Sequence, residues 1–175
     1  DETGELQAVC DSTPIIRRLE AEYEGRSVIP DDPAMAFIDY LLEDFADEWA
    51  TKYMFHYRWY FDEDADNAST VLPLSDLAVN MAADTLKEVK KYIYDRQHGR
   101  LWVVGSNDTN AALIDSSYKR FVKLMDNHLS VSKFLFGEKP SSADFAIYGQ
   151  LTQLINFDPT SRKITYDRSL RLVSW

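Results

Sequence analysis

Apolar residues recur at threes and fours through most of the chain, and the polar residues between them mark where helices start and stop. Asp11 or Ser12 can cap a first helix, Pro14 suits its opening turn, Ile15, Ile16 and Leu19 form its apolar face, and Gly25 stops it. Asp32-Pro33 opens a second, longer helix on which Phe37, Tyr40, Leu41, Phe45, Trp49, Tyr53 and Tyr57 predict one continuous apolar stripe. Asp39, Glu43 and Asp47 fall at steps of four on another face. Like charges there cost roughly 0.2–0.5 kcal/mol per pair unless water or a cation relieves them, and the plainer expectation is a solvated face. Residues 62–70 are polar and predict a loop or a frayed helix end. A further helix is expected from Ser75-Asp76 through Leu86, Val89 and Ile93 to Gly99, with Lys87, Lys90, Lys91, Arg96 and His98 in its second half, where cations suit the helix dipole. Residues 101–105 read as short and extended. A fourth helix covers about 109–129, with Leu113, Ile114, Phe121, Leu124 and Met125 inward; a fifth begins at Ser141, and a sixth lies near 166–175.

Residues 1–10 read differently. Glu2-Thr3-Gly4-Glu5 is turn chemistry, and Leu6, Ala8 and Cys10 alternate with Gln7 and Val9 as in a short strand. An isolated hairpin is marginally stable at best, so it needs partner strands that the chain does not supply. The expectation is a chain that begins partway through a domain and stops at Trp175 with the apolar pattern still running. Of the 175 residues 45% are apolar, with six glycines and six prolines, which favours a mainly α domain with a small piece of another attached. The net charge of -10 argues against a nucleic-acid backbone or an anionic lipid surface as partner. No apolar run approaches the roughly 20 residues that span a bilayer. A single cysteine, Cys10, excludes an intrachain disulfide and fits a reducing, cytoplasmic setting. Beside Asp11 its thiol has nothing to lower its pKa, so packing is a better expectation than redox chemistry. His56, His98 and His128 are scattered, and no metal site is expected.

Two short motifs carry more. In Lys139-Pro140-Ser141-Ser142-Ala143-Asp144-Phe145, Ser141 can accept from the amide of Asp144 while Asp144 reaches back to the amide of Ser141. The helix so opened holds Phe145, Ala146, Ile147, Tyr148, Leu151, Leu154 and Ile155 and is expected to be buried. Alone this box is a folding device. Asp11-Ser12, at the close of the expected strand and the mouth of the first helix, reads alone as a pair of caps.

Together the motifs resemble the glutathione transferases. Phe134-Leu135-Phe136-Gly137 followed by Pro140-Ser141-Ser142-Ala143-Asp144 is similar to the capping box that opens the central helix of that family's all-α C-terminal domain. Asp11-Ser12 is similar to the acid-serine pair that closes its thioredoxin-like domain. The stretches Asp11-Ser12-Thr13-Pro14-Ile15-Ile16-Arg17-Arg18-Leu19-Glu20 and Gly149-Gln150-Leu151-Thr152-Gln153-Leu154 resemble a bacterial branch of the superfamily.

The resemblance implies residues 1–25 as the end of a thioredoxin-like domain and 26–175 as a helical bundle like the family's C-terminal domain. It implies glutathione as co-substrate, its γ-glutamyl carboxylate held by Ser12 and helix-mouth amides and its α-ammonium by Asp11. An apolar electrophile would lie against the helical domain, with Tyr53 and Tyr57 as pocket candidates, although aromatic stripes are more often core. The thiol-activating residue is expected upstream of these 175 residues, so none is named. The family usually forms homodimers; Arg17 and Arg18 are expected to pair with acids such as Asp44 or Glu48. The rival from another class is a non-catalytic interaction module of the same shape.

Overall fold

The structure is a computed structural model that describes residues 8–175. The chain is mainly α, with no strand among the described residues. The helices are α1 (Ser12–Glu22), α2 (Pro33–Phe45), a π-helical segment (Ala46–Ala50), α3 (Thr51–Tyr60), α4 (Asp62–Asp76), α5 (Ala83–His98), a 3-10 turn (Leu101–Val104), α6 (Ala111–Leu129), α7 (Ser142–Asn156), α8 (Pro159–Arg168) and α9 (Leu170–Ser174). The turn expected at 2–5 and the start of the strand lie outside the described residues; Ala8, Val9 and Cys10 have no regular structure, and Cys10 is exposed rather than packed.

The long second helix turns a different face inward from the one its apolar stripe predicts. Asp39 and Glu43 are buried, while Phe37 is 60% and Leu41 47% exposed. The reason is angular. Positions 37, 41, 45, 49, 53 and 57 repeat every four residues, and each step overshoots a full turn by about 40°. Over five steps the stripe winds about halfway round the helix, so Phe37 and Tyr57 cannot face one core. The seam that does face it is Asp39, Glu43, Ala46, Ala50, Tyr53 and Tyr57, in steps of four, three, four, three and four. The expected solvated face is therefore a buried one. Its acids are tolerated because α7 begins against them. The Ser142 hydroxyl lies 2.6 Å from Asp39 Oδ2 and 2.8 Å from Glu43 Oε2, the Ala143 amide donates to Asp39 Oδ1 at 3.0 Å, and the Thr13 hydroxyl donates to Glu43 Oε1 at 2.6 Å. Two carboxylates thus sit at the positive end of α7, and one of them also holds α1.

α7 runs through the middle of the bundle. Ile147, Leu151, Leu154 and Ile155 pack with Tyr53, Tyr57, Tyr118, Val122 and Met125, although Phe145 and Tyr148 on its other side stay half-exposed. A second cluster gathers Trp59, Ala65, Ala68 and Leu101. The acidic stretch expected as a loop or a frayed helix end is the ordered front of α4. Asp62, Glu63 and Asp64 fill its first turn, where they suit the dipole, and its small residues Ala65, Ala68 and Ser69 are buried. The next helix accordingly starts at Ala83, well beyond Ser75, and residues 101–104 coil into a 3-10 turn rather than extending. The region near 166–175 is two helices divided at Ser169. Arg58 ties α3 to the head of α8: its Nε and Nη2 donate to the two oxygens of Asp158 at 2.8 and 3.0 Å, while its plane lies 4.5 Å from the Phe157 ring. Asp64 accepts from the amide and hydroxyl of Thr160.

Candidate functional site

Asp11 caps α1, accepting from the Thr13 amide at 3.1 Å. Its φ of 78° and ψ of 120° lie outside the left-handed helical well, and among the described residues it alone takes positive φ without being glycine. Such a backbone stores on the order of 1–3 kcal/mol and persists only where its surroundings over-determine it. Here the cap bond fixes one side, and the Thr13–Glu43 bond fixes the next residue but one.

The helix mouth offers fewer donors than a bare N-terminus. Thr13's amide is taken by Asp11, Pro14 has none, and Ile15's reaches the Asp11 carbonyl at 3.4 Å. The amide and hydroxyl of Ser12 have no hydrogen-bond partner among the described residues, and the side chain is exposed. An anion at this corner would therefore meet Ser12 alone. The surroundings are acidic. Asp47, half-buried one turn beyond Glu43, has its pKa raised by burial first and then by the charges of Glu43, Asp11, Glu48 and Asp44. A cation would relieve that crowding. Arg17 and Arg18 do not supply it: Arg18 pairs with Glu22 at 2.6 Å, and Arg17 lies 5.6 Å from the Tyr40 ring.

Further along the same rod, from the end of the π segment onward, a cleft of about 410 Å³ opens between α3 and α6. Trp49, Tyr53, Val104, Leu113 and Ile114 give it an apolar lining, and Lys52 and Arg120 bring charge to it. Its size falls in the range of small-molecule sites. Tyr53 forms part of the wall, and its hydroxyl lies 2.8 Å from Ser117 Oγ. Tyr57 does not reach the cleft. It is fully buried, its hydroxyl donates to Asp115 at 2.9 Å, and burial, then the Asp115 charge, pushes its pKa well up. Of the two tyrosines singled out in the sequence, one lines the cleft and the other is core. Asp11 and Ser12 stand on open surface, outside the cleft wall.

Ser141 and Asp144 form the reciprocal capping box. Asp144 Oδ2 accepts from the Ser141 amide at 2.9 Å, and its other oxygen takes the Leu135 amide at 3.0 Å, which also pins the preceding turn. Lys52 and Arg120 do not stand out in the sequence, and Trp49 does so only as part of the apolar stripe, because their common wall appears only once this stretch packs on α6. Among the described residues no group of three His, Cys, Asp or Glu is arranged to hold a metal, and no helix is long and apolar enough to cross a membrane. No protein-family model matches the chain, and no curated protein is found similar to it.

Proposed function

We propose that the chain is part of a glutathione transferase-like protein. In it Ser12 receives the γ-glutamyl carboxylate of glutathione, Asp11 the α-ammonium, and the cleft beside Tyr53 an apolar electrophile. The observation that carries this is the corner at Asp11-Ser12: a strained acid holds the helix mouth, and the amide and hydroxyl of the next residue have no hydrogen-bond partner among the described residues. The acids about Asp47 support it, since a zwitterion brings the cation they lack. So does the capping box at Ser141 and Asp144, which opens a buried helix as the resemblance requires. On this proposal the protein aligns a thiol and an electrophile, and no residue named here activates the thiol.

The test is retention of the full-length protein on immobilised glutathione, with elution by free glutathione. Retention is expected, with affinity falling about tenfold in Ser12→Ala, the scale of one lost charge-assisted contact. Equal retention of both proteins removes the site assignment.

A second reading, a non-catalytic docking module, is favoured by the outer face of α2. Phe37, Ile38, Tyr40 and Leu41 are all exposed there, and neighbouring apolar side chains left in water commonly mark contact surfaces. Failure to bind glutathione, with capture of a partner that Leu41→Glu abolishes, would support it.

A further inference from the structure

We propose that the cleft beside Tyr53 selects an apolar ligand carrying a carboxylate or sulfonate, with the anionic end held between Lys52 and Arg120. Only the description of that ligand as an electrophile rests on the glutathione transferase proposal. Its recognition follows from the cleft.

The chain has 29 acidic residues against 19 lysines and arginines, so a cleft wall with two cations and no acid runs against the overall charge. Among the described residues nine of the 19 lysines and arginines form ion pairs, as Lys90 does with Asp66, Lys119 with Asp115 and Arg171 with Asp126; ten do not. Among the described residues Lys52 and Arg120 have no such partner, and both line the same cleft. No aspartate or glutamate belongs to its wall. The nearest carboxylate in sequence to Arg120, Asp115, has its two oxygens engaged with Tyr57 and Lys119.

The cations are also placed rather than merely present. Lys52 Nζ lies 4.5 Å from the centre of the Trp49 ring, which holds the ammonium over an indole that itself forms cleft wall. Arg120 comes from the facing helix, three residues beyond Ser117. Between them Tyr53, Leu113 and Ile114 offer an apolar bed. The cleft's own serines add little free polarity: Ser116 donates to the Leu113 carbonyl, and Ser117 is engaged with Tyr53.

The test compares two fluorescent probes with the same arylamine body, 1-anilinonaphthalene-8-sulfonate and uncharged N-phenyl-1-naphthylamine. The sulfonate is expected to bind about tenfold tighter. Lys52→Gln and Arg120→Gln should each weaken it about fivefold, with the neutral probe changed less than about twofold. Both side chains reach solvent, so the fold should survive, and unchanged neutral-probe binding in the same variant confirms that it has. Trp49→Ala should weaken both probes. Unchanged sulfonate affinity in the double variant, parallel loss of both probes on removing the cations, or indifference of both to Trp49→Ala would overturn the inference. No glutathione is present in these titrations. If the probe preference fails while retention still depends on Ser12, this inference alone falls. The reverse result removes the glutathione site and leaves the anion-selective cleft standing.

Discussion

Ser142→Ala is the substitution that most sharply separates a buried acidic latch from a solvated acidic face. On a solvated face, removing one hydroxyl near Asp39 and Glu43 changes stability by no more than about 0.5 kcal/mol, the usual range for surface positions. In the structure that hydroxyl is fully buried and lies within 2.8 Å of one oxygen on each acid. Its single proton serves one acid or the other, so the loss is counted as one hydrogen bond to a charged group. Such a bond contributes about 1.5–3 kcal/mol, and the acids left behind are buried with fewer donors. The Ala143 amide still reaches Asp39 and Thr13 still reaches Glu43, which keeps the cost from rising further.

The expectation is a loss of about 2–3 kcal/mol, or a Tm lower by about 4–12 °C for a domain of this size. Urea unfolding followed by far-ultraviolet circular dichroism gives the difference directly. A cycle with Glu43→Gln should show coupling of about 1 kcal/mol or more, because each change removes part of the same contact. A loss under about 0.5 kcal/mol, or additive single effects, would refute the latch and return these acids to the surface.

Two other expectations follow from buried polar groups. Ser141→Ala should cost about 1 kcal/mol or more, and Asp144→Ala more than that, because Asp144 also holds the Leu135 amide; equal costs in urea unfolding would contradict this. His56 is fully buried, its Nδ1 lies 2.7 Å from Ser106 Oγ, and burial lowers its pKa to about 4. The unfolded chain, with an ordinary imidazole near 6.5, therefore takes up this proton first as the pH falls. The contribution is complete above about pH 6.5 and fades to nothing near pH 4, a total of about 3 kcal/mol. Burial raises Asp158 to about 6, so the folded state protonates first there and the sign is opposite over much of the same window. The measurement is thus the stability difference between wild type and His56→Phe at pH 7 and pH 4.5, in which Asp158 cancels; a difference independent of pH would contradict a neutral buried imidazole.

Where propensity and local chemistry decide the outcome, the sequence was readable. The caps at Asp11 and Asp32, the box at Ser141 and Asp144, and the extent of α6 are set by residues within a few positions of one another. Burial on α2 was not readable, because apolar character does not mark its inward face. The inward seam begins with two acids whose partners, Ser142 and Ala143, lie about a hundred residues away. The front of α4 was misjudged for a related reason: its acids face the helix's own positive end and the Thr160 hydroxyl, neither of which composition shows. The cleft was half-readable. Tyr53 stands out by type and spacing, whereas Lys52 and Arg120 look like ordinary surface cations until the two helices are brought together.

The buried acids also connect the two ends of the candidate site. Glu43 holds α1 through Thr13 and α7 through Ser142, so the helix mouth at Ser12 is referenced to the same carboxylate that fixes the central helix. One turn on, Ala46 and Ala50 leave no bulk between α2 and the core, and the π segment they belong to carries Trp49 and leads directly into Lys52 and Tyr53 of the cleft. π-helical turns inside α-helices recur at functional sites, because the wider turn re-aims the side chains that follow. The corner at the mouth of α1 is tied through Thr13 to Glu43 on the rod formed by α2, the π segment and α3, and that rod carries Trp49, Lys52 and Tyr53 of the cleft further on. Apolar residues at the front of that rod are exposed because acids occupy their place on the core side. That arrangement gives up ordinary burial and fixes the corner and the cleft relative to each other, as the proposed alignment of a thiol with an electrophile would require.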